Sequence, residues 1–319
     1  MTADGNDREE ICKMRMNRVL ALGAAMVVAL AACSGGGSKE AIRIGSDNFY
    51  ESKLMAEIYA QVLENDGYEV TRNLGLGSRQ ERAPAFEAGQ VDLVPEYVGS
   101  GLGYYDKDQI TGDGEQNRAA LQAIYDTKGP DGGKLATVLA ITPGEDTNAA
   151  VVRQDTASSM SLAKMSDLAA VQNDLKWGLP PDCDENPLCK GALEEYGITY
   201  PPAQRESLAA CDAPIAEALN GNAIDFAWLC STQPAISTFG FVVLEDDLDT
   251  QPAENLAPVV REDYLAKVDR DAFAKLLDEV SAKMTTEDLT ALGVKVAVDN
   301  EDIQDVARQW LTDKGLLSS

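Results

Sequence analysis

The sequence has no histidine among its 319 residues. This absence excludes histidine-based acid–base catalysis, Ser-His-Asp and Cys-His nucleophile systems, and every metal site that requires imidazole. An acidic stretch at 106–115 lacks the glycine and the terminal glutamate of a calcium loop. We therefore expect no metal, no cofactor and no enzymatic activity.

Basic residues are scarce. The chain has 27 Lys and Arg against 53 Asp and Glu, which gives a formal net charge of −26. Such a surface repels nucleic acid and anionic lipid head groups, and it favours cationic or zwitterionic partners. An acidic surface also promotes solubility, which accounts for most of these charges. We expect no nucleic-acid partner.

A leader pattern occupies the start of the chain. The 14-residue apolar run Val19–Ala32 follows Arg15 and Arg18, and it is too short to span a bilayer but has the length of a signal-peptide core. Small residues then precede Cys33, and the Ser/Gly segment 34–38 follows it. This pattern resembles a bacterial lipobox, which implies a lipid on Cys33 and anchoring at the outer face of the membrane.

The leader sets the expected processing and location. We predict a lipoprotein-type signal peptide at 1–32 and a lipid-anchored flexible tether at 33–40, on the extracytoplasmic side of the cell membrane. A plain secretory signal is the alternative. The acidic first 13 residues do not fit a positively charged signal start, so we hypothesise that translation begins at Met14 or Met16.

Four further cysteines lie within one 48-residue block: Cys183, Cys189, Cys211 and Cys230. An even number in an exported chain indicates two disulfides, with three possible pairings. We favour Cys183–Cys189, across a proline-rich loop, and Cys211–Cys230, between a helix start and a strand. Their spacing is not that of a zinc site.

Strands and helices alternate in the first part of the body. Hydrophobic periodicity predicts a strand at 41–45, a helix at 52–65, a strand at 68–74, a helix at 79–88 and a strand from Val91. This order favours a mostly parallel sheet, whose ligands gather at the carboxyl ends of the strands.

Polar and aromatic residues occupy those strand ends: Ser46, Asp47, Asn48 and Tyr97. In the segment Val91–Tyr105, an apolar run opens into a Gly-rich helix start. A helix N-terminus suits an anion and a tyrosine face suits a cation, so this segment offers both halves of a zwitterion site. An ordinary turn beside surface or core tyrosines is the alternative.

The same alternation recurs later. It predicts a helix at 161–170, a strand at 175–179, a helix at 212–221 and a strand at 224–229. Breaks at 142–144 and 241–244 are predicted to carry the chain to a second lobe and back. The acidic stretch 245–254 is predicted to be exposed, and the remaining C-terminal part to be helical.

Several motifs resemble one family. The segments IRIGSDNFYESKLMAEIYAQVLEN and FEAGQVDLVPEYVGSGL match the pattern of a strand, GSKNFTES, a helix and a later G.IDLYPEYTGT. This pattern is that of the substrate-binding lipoproteins of ABC importers for glycine betaine, choline and related osmoprotectants. Weaker similarity continues through GNAIDFAWLCSTQPAI and LAPVV to the C-terminus.

The resemblance implies a two-lobed α/β fold of the periplasmic-binding-protein type II, with a hinge between lobes. Lobe 1 would comprise 41–146 and 243–319, and lobe 2 would comprise 147–242. The protein would be a monomer that binds a small molecule and delivers it to an ABC permease and its ATPase.

The resemblance also implies a site in which an aromatic cage holds a trimethylammonium group. Tyr97 matches the tyrosine of EYTGT, and Asp47 and Asn48 match the polar pair at the strand end. The expected cation-facing aromatics are Tyr97 and Trp228, with Tyr104 or Tyr105 as further ones; the expected polar contacts are Ser46, Asp47, Asn48, Asn148 and Thr232.

The second-lobe half of that cage departs from the family. Asn148 stands where NTYAL has an aromatic, the segment 229–233 reads LCSTQ instead of AYSTDG, and a third expected tyrosine falls at about Ala216. Trp228 could restore an aromatic wall or could be a buried core indole. The alternatives are a different small polar solute, an enzyme, and an adhesin or signalling lipoprotein that has lost transport.

Overall fold

The structure is a computed structural model that describes residues 39–317. The predicted signal peptide 1–32, the lipidation site Cys33 and the alternative starts Met14 and Met16 lie outside the described residues. Among the helices of the described part, none is both long enough and apolar enough to cross a membrane.

Ten strands are found in residues 39–317. They are β1 (Ile42–Gly45), β2 (Val70–Asn73), β3 (Leu93–Tyr97), β4 (Ala136–Val138), β5 (Asn148–Val152), β6 (Trp177–Leu179), β7 (Arg205–Ser207), β8 (Phe226–Cys230), β9 (Val242–Val243) and β10 (Leu256–Arg261). They form two five-stranded sheets, in the orders β2-β1-β3-β10-β4 and β7-β6-β8-β5-β9. The fold is therefore α/β with two lobes, one on each sheet, as predicted.

Thirteen α-helices accompany the strands in the same residues. They are α1 (Tyr50–Asn65), α2 (Arg79–Glu87), α3 (Val98–Tyr105), α4 (Gly114–Tyr125), α5 (Gln154–Met160), α6 (Leu168–Val171), α7 (Ala192–Glu195), α8 (Ala213–Asn220), α9 (Ala235–Thr238), α10 (Glu262–Leu265), α11 (Arg270–Ser281), α12 (Thr286–Gly293) and α13 (Ile303–Asp313). Single π-helical turns lie at Pro187–Gly191 and Val294–Val298.

The first sheet is parallel only in part. β1 pairs in parallel with β2 and β3, as predicted, but β10 enters between β3 and β4 and runs antiparallel to both. Pro95 of β3 faces Pro258 of β10. Three positions further along, the Arg261 N–H donates to the Asp92 carbonyl at 2.8 Å, so these two residues form a hydrogen-bonded pair. Bonded and unbonded pairs alternate in antiparallel strands, so the prolines face each other where no bond is exchanged.

The second sheet combines parallel and antiparallel strands. β6 is parallel to β7 and β8, whereas β5 is antiparallel to β8 and β9. Val243 of β9 pairs with Val151, and the N–H groups of Leu244 and Glu245 donate to the second-lobe carbonyls of Ala150 and Ala163. The chain therefore returns to the first sheet after Glu245, beyond the predicted break at 241–244 and the predicted boundary at 242/243. The boundary at 146/147 stays a prediction.

Both lobes have apolar cores. In the first lobe, α1 is almost wholly buried and packs with the predicted apolar faces of α11 and α13, which include Phe273, Leu277 and Trp310. In the second lobe, Trp177 and Phe226 are fully buried with ring centroids 4.7 Å apart. The helix faces predicted from spacing are therefore core surfaces.

Within residues 39–317 there are two disulfides, Cys183–Cys189 and Cys211–Cys230, and their Cα atoms lie 5.1 and 4.9 Å apart. These are the two pairings favoured from the sequence. The first closes the loop that follows β6, and the second ties the start of α8 to the end of β8.

Candidate functional site

A cavity of about 290 Å³ lies between the two lobes. We call it the interlobe cavity. Its aromatic walls are Phe49 and Tyr97 from the first lobe and Trp228 from the second. Its volume suits a ligand of a few heavy atoms, and its placement between two lobes is common for small-molecule sites.

Five of the nine predicted ligand residues line the interlobe cavity: Asp47, Asn48, Tyr97, Asn148 and Trp228. The first three follow or end parallel strands of the first sheet, and the last two belong to β5 and β8 of the second. Cys230 and Cys211 also line it, so the second disulfide forms part of the wall.

Tyr97 is the last residue of β3 and is only 4% exposed. Its hydroxyl donates a 2.7 Å hydrogen bond to the carboxylate of Glu51, in the first turn of α1, and its ring centroid lies 5.9 Å from that of Phe49. The hydroxyl is therefore engaged inside the protein, whereas the ring belongs to the cavity wall.

Trp228 lies in the middle of β8 and is 2% exposed. Its ring centroid is 5.9 Å from that of Phe226, inside the core of the second lobe. The residue is at once a core indole and a wall of the interlobe cavity, so the two interpretations made from the sequence are compatible.

Ser46 and Thr232 lie outside the cavity lining. The Ser46 hydroxyl accepts the Gly75 N–H at 2.9 Å and donates to the Asp47 carbonyl at 2.9 Å. Thr232 donates its hydroxyl to Glu51 at 2.7 Å. Both side chains are buried, and they support residues of the cavity instead of facing it.

Tyr104 and Tyr105 are also away from the cavity. Tyr105 donates its hydroxyl to Glu87 at 2.7 Å, and its ring centroid lies 4.8 Å from that of Tyr104 and 5.7 Å from that of Tyr125. A helix rises about 1.5 Å per residue, so α3 carries its last residues roughly 10 Å from the strand end. The first-lobe aromatic beside Tyr97 is Phe49, which the sequence reasoning missed.

A buried ionic cluster supports the strand ends. The Arg82 side chain is 1% exposed and pairs with Asp47 at 2.7 Å and with Glu96 at 2.6 Å. Arg79 pairs with Glu96 at 2.8 Å. Burial acts to raise the pKa of Glu96, but the two guanidiniums hold it below its ordinary value. Asp47 therefore reaches the cavity with its charge already paired.

Two buried carboxyl groups lie where the lobes meet. Glu51 accepts hydrogen bonds from Tyr97 and Thr232, and Asp146 accepts the Thr232 N–H at 3.0 Å and the Ser231 hydroxyl at 3.2 Å. Burial raises the pKa of both carboxyls, and the charge of Asp146 adds to the effect on Glu51. Thr232, just after β8, thus bonds to α1 and to the connection between lobes.

The predicted anion site at the start of α3 is already filled from within. The Ser100 N–H donates to the Glu254 carboxylate at 3.0 Å, and the Ser100 hydroxyl donates to it as well. Burial raises the pKa of Glu254 to about 8. The prediction that 245–254 is exposed is wrong for its last three residues.

The close packing of that segment explains its burial. A Cβ on Gly99 would lie 2.6 Å from the carbonyl oxygen of Ala253, so only glycine permits α3 to pack on this segment. Gly99 therefore serves the approach of the chain's own backbone, and Gly101 leaves room for the side chains of Glu96 and Leu121, so neither glycine serves the approach of a ligand.

Five charged cavity residues were also missed from the sequence: Arg79, Glu81, Asp146, Asp182 and Glu254. A signal existed for Arg79 and Arg82, which lie three apart on the predicted helix after the Gly-rich turn and so share one face. Within residues 39–317, no three Cys, Asp or Glu side chains are grouped as metal ligands would be.

Comparison with known proteins agrees with this architecture. The family model described as the substrate-binding domain of the ABC-type glycine betaine transport system matches residues 40–313. The glycine-betaine-binding protein of Pseudomonas aeruginosa is 29% identical over 289 residues, which cover 87% of this chain and 89% of that protein. The glycine betaine-binding protein YehZ of Escherichia coli is 28% identical over 282 residues, covering 86% and 90%.

Solved structures share the two-lobed fold. Apo YehZ from Escherichia coli superposes with a TM-score of 0.58 at 26% identity, covering 86% of this chain and 99% of that one. A crystal structure titled glycine betaine/carnitine/choline ABC transporter has a TM-score of 0.65 at 21% identity, covering 87% and 100%. Since the family model spans most of the chain, this protein belongs to the family of substrate-binding domains of ABC-type glycine betaine transport systems.

Proposed function

We propose that this substrate-binding protein captures a quaternary ammonium osmoprotectant, such as glycine betaine or choline, in the interlobe cavity. The observation that carries the proposal is the convergence of Phe49, Tyr97 and Trp228, from both lobes, on one small cavity. A quaternary ammonium group cannot donate hydrogen bonds, so aromatic faces and nearby negative charge are the main attractions available to it.

The residues take distinct parts in this proposal. The rings of Tyr97, Trp228 and Phe49 contact the methylated ammonium group. Asn48 and Asn148 supply polar contacts. Ser46 and Thr232 do not contact the ligand; they stabilise Asp47 and Asp146, which line the cavity, through the hydrogen bonds described above.

Arg79 is the single basic residue that lines the interlobe cavity. Its Nε and one terminal nitrogen donate to Glu96 at 3.0 and 2.8 Å, which leaves the second terminal nitrogen for a ligand. We assign Arg79 the contact with a ligand carboxylate, because a guanidinium binds carboxylates through several donors at once.

The protein delivers its ligand to an ABC permease with its ATPase and does no chemistry of its own. It acts as a monomer, held at the extracytoplasmic face of the cell membrane by a lipid on Cys33 after cleavage of the signal peptide 1–32. The tether 33–40 gives the two-lobed body room to reach the permease.

A different small polar solute is the second candidate. It is favoured by the second-lobe wall, where Asn148 and Asn186 line the cavity in place of further aromatics. Amide groups recognise ligands with hydrogen-bonding groups, which a trimethylammonium lacks.

A thermal-shift screen of the mature protein separates the two candidates. Ligand at 100 times its dissociation constant stabilises a protein by about 2.7 kcal/mol, which is readily measured. We expect glycine betaine, choline or carnitine to raise the unfolding temperature, and amino acids and polyols to leave it unchanged. Stabilisation by a polyol or amino acid alone would favour the second candidate and contradict the first. Calorimetric titration of each positive compound then gives its affinity.

A further inference from the structure

The second-lobe wall of the interlobe cavity includes a loop with its own covalent brace. Residues 180–189 follow β6, and the Cys183–Cys189 disulfide closes the loop with both cysteines fully buried. Pro180 and Pro181 line the cavity immediately before Asp182, and their fixed backbone angles limit the motion of the segment. Asp182 is therefore held at the cavity by a rigid support.

The other carboxylates of the cavity are each engaged by donors of the protein. Asp47 is paired with Arg82, and Asp146 and Glu254 accept the hydrogen bonds described above. Glu81 accepts the N–H of Ser78 at 2.9 Å, as part of the capping box of α2.

In the described part of the chain, Asp182 is engaged only by groups of its own loop, namely its own backbone N–H and the amide of Asn186. No Lys or Arg of residues 39–317 forms an ion pair with it, and it is half-buried beside the cavity. Burial raises the pKa of Asp182, while the charge of Arg79 and the amide of Asn186 act to lower it. Arg79 belongs to the opposite lobe. Both charges line the interlobe cavity, and they do not form a salt bridge with each other.

We propose that Asp182 is a specificity-determining residue, the counter-ion for the ligand's ammonium group on the second-lobe side. This inference rests on the proposed function. Asp182 supplies negative charge on the side where Asn148 replaces an expected cage aromatic. A carboxylate attracts a net cation more than a zwitterion, whose own carboxylate it repels. Asp182 therefore shifts the preference of the site towards a choline-like ligand, of net charge +1, and away from glycine betaine, whose carboxylate is attracted by Arg79.

The test is calorimetric titration of the mature protein and its variants with choline and with glycine betaine. Asp182→Asn keeps the size of the side chain and removes the charge. We expect it to weaken choline binding about tenfold and glycine betaine binding less than about threefold. Asp182→Glu retains the charge and should retain the preference for choline.

The matched control is Glu185→Gln. Glu185 lies in the same loop, is exposed and does not line the cavity, so the variant makes the same change in net charge away from the ligand. We expect both affinities to stay within about twofold of the unmodified protein, because a solvent-exposed charge is screened by salt.

A salt titration of the unmodified protein tests the same point without relying on the folding of a variant. Choline affinity should fall more steeply with added NaCl than glycine betaine affinity. Equal slopes, or equal losses of both affinities in Asp182→Asn, would overturn the counter-ion role and leave the proposed function standing. Failure of the unmodified protein to bind either compound would overturn both.

Discussion

Tyr97 shows how one residue serves the wall of the cavity and the frame behind it. Its ring lines the interlobe cavity, while its hydroxyl bonds to Glu51. Tyr97→Ala should weaken choline or glycine betaine binding by about 1–2 kcal/mol, because the ring face against the cation is lost. Calorimetric titration measures this, and full affinity in Tyr97→Ala would remove Tyr97 from the site.

Tyr97→Phe is the matched control for that prediction. It keeps the ring and deletes only the bond to Glu51. We expect affinity to change little and the free energy of unfolding to fall by about 1 kcal/mol. Urea denaturation separates this loss of stability from a loss of binding.

The raised pKa of Glu254 leads us to predict that the stability of the protein depends on pH. Burial raises the pKa of Glu254 from its ordinary value of 4.5 to about 8, so the folded state holds this proton more tightly than the unfolded state. The contribution of this proton to the free energy of unfolding is therefore fully present below about pH 4.5, and it is lost as the pH rises towards 8.

Glu254→Gln removes that titration and keeps an oxygen for the Ser100 N–H. We expect the variant to unfold roughly 2–4 °C higher than the unmodified protein at pH 8, and the difference to shrink at acidic pH. Thermal unfolding followed by circular dichroism across pH is the measurement. Glu301→Gln, at an exposed position, is the control, and an equal shift there would contradict a specific role for Glu254.

At the scale of elements, helix α2 is tied to the first sheet by charge. Arg82 is buried between Asp47 and Glu96. Arg82→Met leaves two buried carboxylates without their shared partner, so we expect the free energy of unfolding to fall by about 3–5 kcal/mol. Denaturation in urea measures this loss.

The control for Arg82 is an exposed ion pair. Lys275 and Glu279 lie 3.8 Å apart, with side chains 75% and 52% exposed. Lys275→Met should change the free energy of unfolding by less than about 1 kcal/mol. If both variants lose the same free energy of unfolding, the ionic cluster around Arg82 stabilises the protein no more than an exposed ion pair does.

The pairing of strand β10 with strands far away in the sequence also positions a residue of the interlobe cavity. It follows the whole second lobe in sequence, yet it pairs with both β3 and β4. The segment that leads into it carries Glu254 to the start of α3. Completing the first sheet therefore also places a carboxyl group at the interlobe cavity.

At the scale of the whole molecule, we predict that attachment to the membrane depends on Cys33, which lies outside the described residues. We predict that Cys33→Ser moves the protein from the membrane fraction to the soluble extracytoplasmic fraction, because the thioether-linked lipid cannot form. Cell fractionation with immunoblotting measures the distribution. Mass spectrometry should find a lipid-modified N-terminal Cys33 in the unmodified protein, and an unmodified Cys33 within a longer mature chain would contradict the prediction.

Local sequence patterns locate many of the elements and several residues of the interlobe cavity. Periodicity located α1, α2 and the strands β1 to β3, because apolar spacing follows the local geometry of each element. Asp47, Asn48 and Tyr97, predicted at strand ends, line the interlobe cavity, since the carboxyl ends of neighbouring parallel strands meet at one edge. The family motifs lie in the same segments.

Which charges line the cavity and which are paired within the protein depends on tertiary contacts. Ser100 donates hydrogen bonds to Glu254, α3 places Tyr104 and Tyr105 away from the cavity, and Asp182 lines the cavity on a loop closed by a disulfide. These outcomes depend on contacts between residues far apart in the chain, and local hydrophobic patterns carry no information on such partners. Of the cavity aromatics, Tyr97 and Trp228 follow from the sequence and the family motifs, whereas Phe49 and the charge of Asp182 follow from the fold.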